Sequence, residues 1–296
     1  RDLRPGTTYT YQAGFPDSDA WSAPQTFTTA PSQTVPFTFL AFGDTQSLEP
    51  WQPTVEAALK AYPNAAFATI AGDVVDTGQN RDQWDRLFHV AKPLVSRIPL
   101  MPALGNHDII DGLGAAMWRA SLALPENGPP HLEPERAYSF EYSNALVIVL
   151  DSGLSAMDQA PWLEETLANS DATWKFAVHH FPPYSAEDPY PQIESLWGYL
   201  FDKYGLDIAF EGHFHYYMRS HPMYRGRPQA QGEPGTTHVL SIAIPNRERK
   251  LPPADYAKVQ FTGVPLFQAV EIDGDTLTCK SIDPNGLVRD EFVLSK

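Results

Sequence analysis

One cysteine, Cys279, is all the chain carries in 296 residues, so no disulfide can close within it and no cysteine-rich zinc module can be built. No apolar run approaches the roughly 20 residues that a membrane-spanning helix needs, which argues against membrane insertion. Positive charge is also scarce. Against 36 Asp and Glu stand 21 Lys and Arg, and the formal charge of −15 is unsuited to broad electrostatic binding of nucleic acid or anionic membranes. An anionic substrate would need local positive charge, and bound metal is the obvious source. There is no internal repeat and no low-complexity tract. No targeting segment is visible at Arg1-Asp2-Leu3, an absence that decides nothing because the chain does not open on methionine.

What is present is globular: 43% hydrophobic and 19% charged residues, in a chain long enough for one large domain or one domain plus a fragment. Residues 1–30 differ from the rest. Thr7 to Ala13 and Gln25 to Thr29 alternate polar and apolar β-formers around a Gly/Pro/Asp turn region, as two strands of an antiparallel sandwich would. A lone hairpin is marginal in water, so either further strands belong to it or it packs on the main domain. Residues 31–36 read as a linker.

From Phe37 a strand–helix rhythm begins. Strands are predicted at 37–42, 65–71, 99–104, 138–142, 145–150, 174–178 and 206–211, and helices at 51–62, 81–95, 161–167 (with Asp158 available as a cap) and 193–204. Residues 111–136 read as a surface excursion. The tail, with strands at 238–244, 267–272, 276–282 and 291–294, reads as an antiparallel meander. Trp51, Trp118, Trp162 and Trp197 are assigned to the core.

Five of the strand ends carry chemistry: Gly43-Asp44-Thr45-Gln46, Gly72-Asp73, Gly105-Asn106-His107-Asp108, His179-His180 and Gly212-His213-Phe214-His215. Any one Asp after Gly reads equally well as a turn or a cap, and a single His-x-His is weak. Five in order, all with ligand-capable side chains, point to a site beyond the carboxyl ends of the strands. Carboxylate, amide and imidazole are the donor types that hydrolytic metal centres use.

These blocks resemble the five-block signature of the calcineurin-like metallophosphoesterases. Within that superfamily, Gly212 to Pro222 (GHFHYYMRSHP) and His180 to Ser185 (HFPPYS) are similar to the purple acid phosphatase branch, and the amino-terminal hairpin resembles the last strands of a fibronectin type III-like module. The resemblance implies an α/β fold of four layers, αββα, with two mixed sheets, over residues 37–296. It implies a metal-dependent hydrolase of phosphorylated small molecules, with two divalent or trivalent ions (Fe, Mn or Zn). Asp44, Gln46 and His215 would hold the first ion, Asp73 would bridge, and Asn106, His180 and His213 would hold the second. His107 would be the acid or phosphate contact, and Asp108 would orient His107 or cap the next turn. A secreted, periplasmic or cell-envelope setting is expected. Aligning the strand-then-His-x-Pro pattern selects His180 over His179 as ligand.

Two departures follow. Asp76 stands three residues after Asp73, where the purple enzymes carry tyrosine, so a colourless protein is expected. Gln46 stands where many relatives have histidine, leaving open whether its amide binds. Tyr184, Tyr190, Tyr216, Tyr217, Arg219, His221 and His131 fall on predicted loops and could shape a pocket, although ordinary packing explains each one singly. Monoester hydrolysis is the leading reading. A phosphodiesterase or nucleotide hydrolase on the same centre, and a non-catalytic envelope binding protein with a decayed domain, are the alternatives.

Overall fold

In the computed structural model, residues 2–296 are described apart from 16, 18, 47, 113 and 231, with no side chains considered at 110–112. The strands in chain order are β1 (Thr8–Tyr11), β2 (Gln25–Thr28), β3 (Phe37–Phe42), β4 (Ala68–Ile70), β5 (Tyr138–Tyr142), β6 (Ala145–Val149), β7 (Trp174–Val178), β8 (Ile208–Glu211), β9 (Tyr217–Tyr224), β10 (Arg227–Pro228), β11 (Thr236–Leu240), β12 (Ala257–Phe261), β13 (Phe267–Asp273), β14 (Thr276–Ile282) and β15 (Val288–Ser295). They form three sheets. A two-stranded hairpin, β1–β2, stands apart. A large sheet runs β10-β9-β11-β8-β7-β6-β5 with β12 also on β9, and a second runs β15-β14-β13-β3-β4. Both large sheets are mixed: β3 lies parallel to β4 while β13 is antiparallel to β3, and β6, β7, β8 and β11 are mutually parallel while β5 and β9 are not.

Side-chain alternation explains the layers. On β6, Ala145, Val147 and Val149 face the space between the sheets, where Phe39, Phe176 and Phe210 also pack. Leu146, Ile148 and Leu150 face the other way, against Leu163, Trp197 and Phe201 of the covering helices. A strand buried on both faces reads as an unbroken apolar run. On the far side, Trp51 of the Leu48–Ala61 helix meets Phe42 edge-on, with centroids 5.5 Å apart. The four-layer αββα arrangement is therefore the one expected.

The local differences have physical causes. The helix expected over 81–95 is two pieces, Arg81–Val90 and Lys92–Val95, because Pro93 cannot continue the hydrogen-bond ladder. The 193–204 helix contains a π turn at Glu194–Gly198. The 161–167 helix begins earlier, at Ala156, and its cap is Ser155 rather than Asp158: the Ser155 hydroxyl accepts from the Asp158 N–H at 3.4 Å. The segment at 99–104 runs beside β4 through Met101 N–H to Ala68 O and Ala103 N–H to Ile70 O, both 2.8 Å, but Pro99 and Pro102 lack donors and only an isolated bridge forms. The tail is not one meander, since β11 joins the large sheet and only β13, β14 and β15 form the antiparallel run. The turn expected within the amino-terminal hairpin includes positions 16 and 18, outside the described residues. That hairpin contacts the main body through the Tyr11 hydroxyl, which donates to Ser96 O at 3.0 Å.

Candidate metal centre

The carboxyl ends of β3, β4, β7 and β8 converge because the two sheets meet there through their main chains: Asp44, after β3, bridges in parallel register to Ile242, after β11, and Ala243 N–H donates to Asp44 O at 3.2 Å. Within each sheet the loops are also tied, Thr45 N–H donating to Asp73 O and Gly212 N–H to His180 O. Glycines make this closeness possible. A Cβ on Gly72 would lie 2.5 Å from His180 Nδ1, and one on Gly212 would lie 2.7 Å from Ala71 O and closer still to the Asp44 carboxylate. One on Gly105 would collide with Asp73. The motif glycines are therefore the floor of the pocket.

Two carboxylates are buried there, Asp44 at 0% exposure and Asp73 at 1%, and among the described residues neither meets an Arg or Lys. Asp44 Oδ1 accepts from the His213 backbone N–H at 2.8 Å, while its Oδ2 has no hydrogen bond although His215 Nε2 is 3.2 Å away. Asp73 Oδ1 accepts from the His107 backbone N–H at 2.8 Å. Its Oδ2 lies 3.3 Å from His180 Nε2 and accepts from the Gln46 amide at 3.2 Å. Asn106 Oδ1 is 3.0 Å from the same His180 nitrogen. One ligand atom each from Asp73, His180 and His213 falls within 4.8 Å of the others, a spacing that can hold a metal ion.

Protonation follows from this crowding. Burial opposes charge on His180, but Asp73 and then Asp44 raise it to about 9. His215 is raised by its contact with Asp44, whereas burial and the neighbouring His180 push His213 down to about 4. Burial works against ionisation of Asp73 too, yet His180 and His107 hold it below the usual carboxylate range. A buried pair of carboxylates with an orphaned oxygen, surrounded by imidazole and amide donors, fits a metal centre.

The structure brings Asp44, Gln46, Asp73, Asn106, His107, His180, His213 and His215 to this pocket. His180 Nδ1 donates to Ala71 O at 2.8 Å, which leaves Nε2 facing Asp73. His179 points elsewhere: its Nδ1 meets Phe181 O at 3.1 Å, and its ring lies against Trp197 and Phe201. Asp108 needs a correction. Its buried carboxylate accepts from Gly105 N–H at 2.8 Å and Val75 N–H at 3.1 Å, so it clamps the two ligand loops together rather than orienting the His107 ring. Burial and the nearby Asp73 raise it to about 7. The partner His107 does have is Asp76, read from the sequence only as a missing tyrosine.

Of the aromatic and basic candidates, Tyr217, Arg219 and His221 lie on β9 rather than on a loop, and Arg219 pairs with Asp290 at 2.6 Å. Tyr216 is fully buried and bonds Ser185 at 3.0 Å. Tyr190 alone of that group bonds a pocket imidazole, reaching His213 at 3.1 Å.

A family model described as calcineurin-like phosphoesterase matches residues 37–217. Among curated proteins, the chain is 27% identical to purple acid phosphatase 13 of Arabidopsis thaliana, over 75% of this chain and 49% of that protein. It is 26% identical to probable inactive purple acid phosphatase 27 of the same plant, over 77% of this chain and 44% of that one. The chain thus spans about half the length of the curated relatives it matches. Its fold is similar to that of purple acid phosphatase PPD1 from yellow lupin (Lupinus luteus) seeds, with a TM-score of 0.85 at 21% identity, over 100% of this chain and 61% of that one.

Proposed function

The chain belongs to the calcineurin-like phosphoesterase family, and on that premise we propose that it hydrolyses phosphate monoesters at a centre of two metal ions.

Asp73 carries the reading. Its Oδ2 makes close approaches to both Gln46 and His180, and we assign Asp44, Gln46 and His215 to one ion and Asn106, His180 and His213 to the other. A buried carboxylate placed in that way can be shared by two cations. Such ions, of Fe, Mn or Zn type, supply Lewis acidity toward phosphoryl oxygens and acidify water.

The chain's own groups do the rest. His107 is about one-third exposed, with Nδ1 held at Asp76 and Nε2 3.9 Å from Asp73 Oδ2, so the ring can give a proton to a departing alkoxide at the mouth of the pocket. Gln46 offers an amide whose oxygen adds a neutral donor once its nitrogen turns from Asp73. Asp108 fixes the spacing of the loops that carry Asp73 and Asn106. The amino-terminal hairpin we read as a fibronectin type III-like fragment.

The test is metal content by elemental analysis together with turnover of para-nitrophenyl phosphate and its bis ester under Mn, Zn and Fe. Two ions per chain and preference for the monoester are expected. Preference for the bis ester would move the assignment to a phosphodiesterase, and fewer than two ions with no turnover would mark a binding protein.

A further inference from the structure

Tyr190 stands on the loop that follows His180. Its hydroxyl lies 3.1 Å from His213 Nε2. Its ring stacks on Phe181, with centroids 4.3 Å apart and 15° between the planes, and Phe181 in turn meets the His213 ring edge-on at 4.7 Å and 86°. The Tyr190 N–H donates to Pro182 O at 3.1 Å, which folds the loop back so that this stack is held beside the pocket.

The two inner histidines are anchored differently. His180 gives its Nδ1 proton to a carbonyl, which can only accept, so the other nitrogen is fixed as the ligand atom. His213 is met by a hydroxyl, which can accept or donate. A ligand to a cation must offer a nitrogen lone pair, and Tyr190 occupies the side of Nε2. Nδ1 is then the atom left for the ion, and the ring's single proton sits on Nε2 with the tyrosine oxygen as its acceptor. Partners of this kind fix the tautomer and orientation of a metal-bound imidazole.

We propose that Tyr190 is the positioning residue of His213: its oxygen accepts the Nε2 proton and so presents Nδ1 to the metal. The inference rests on the metal-centre reading above, and names a residue for which the family's five motif blocks have no place.

The test uses zinc alone as probe, on the whole chain labelled with 15N at histidine. In the zinc-loaded wild type, the ring N–H signals of His180 (Nδ1) and His213 (Nε2) should both be protected and visible by NMR. Tyr190→Phe keeps the stack and removes the acceptor. It should lose the His213 signal, keep that of His180, and weaken the more weakly held zinc by roughly 10–100-fold in titration calorimetry. Unchanged affinity, or a retained His213 signal, overturns the proposal. So does a loss of zinc that appears only in Tyr190→Leu, since the stack rather than the hydroxyl would then be responsible. Wild-type protein that takes up no zinc would remove the metal centre itself, a result distinct from a failure confined to Tyr190.

Discussion

His107 Nδ1 lies 2.8 Å from the main-chain oxygen of Asp76 and 3.5 Å from one of its carboxylate oxygens. The carbonyl can only accept and so fixes the tautomer, and the carboxylate beside it steadies the ring in the orientation a general acid needs. Asp76→Ala should therefore lower kcat about 10-fold with KM little changed, because the backbone contact survives. His107→Gln should cost about 10²–10⁴ in kcat. Steady-state kinetics on both variants decides, and an Asp76→Ala enzyme with wild-type kcat would detach the carboxylate from catalysis.

Because Asp76 takes the position of the tyrosine in the purple enzymes, a ferric form of this protein should lack an intense visible band. An absorption spectrum after iron loading checks it; strong absorption near the middle of the visible range would require a tyrosinate ligand from elsewhere.

Gly72→Ala should abolish metal binding more completely than it lowers stability. The added methyl would press on the His180 ring, and the backbone at φ +87 already disfavours any side chain. Elemental analysis and a thermal melt on the same sample separate the two effects, and full metal occupancy in the variant contradicts the packing.

His179 supplies a pH prediction. Burial, helped by the neighbouring His238, pushes it from the ordinary 6.5 down to about 3. Between those values an unfolded chain takes up a proton that the folded chain refuses, so stability falls as pH is lowered through that window. His179→Phe can keep the ring contacts with Trp197 and Phe201 without titrating. Urea unfolding of the metal-free proteins should show the wild type losing ground to the variant from pH 6.5 downward; parallel curves would contradict it.

Arg219 and Asp290 tie β9 to β15, two strands of different sheets, through contacts of 2.6 and 2.9 Å, with the Tyr217 hydroxyl on the same carboxylate at 2.8 Å. With both side chains less than a tenth exposed, Asp290→Ala leaves a buried guanidinium unpaired and should destabilise by about 3–5 kcal/mol. Activity of the folded fraction should persist. A loss below 1 kcal/mol in chemical denaturation would mean that water replaces the partner.

The strands of the two-sided core were legible because they are nearly unbroken apolar runs: 145–150 is buried on both faces, and 174–178 is interrupted only by Lys175. Most of the candidate ligands were legible for a related reason, since a glycine next to a chemically active residue at a strand end leaves a mark in the letters. What lay beyond reach were contacts made across the fold. β9 could not be separated from a loop because Tyr217, Arg219 and His221 look like surface residues until Asp290, 71 positions from Arg219, supplies the partner. Asp108 resembled a companion of His107 by adjacency, yet its carboxylate turns to backbone donors, Gly105 in its own loop and Val75 in another. Tyr190 and His213 are 23 residues apart, and only the folded loop brings them together.

Asp73 and His213 both sit in the left-handed region, at φ +50 and +73. Few side chains tolerate that conformation, and those enriched there are asparagine, aspartate and histidine. The same three are oxygen and nitrogen donors, so the main chain screens which substitutions this pocket can sample. Cysteine or glutamate at either position would meet a conformational toll before any question of affinity arose. At these two positions the torsion angles themselves favour oxygen and nitrogen donors over a thiolate.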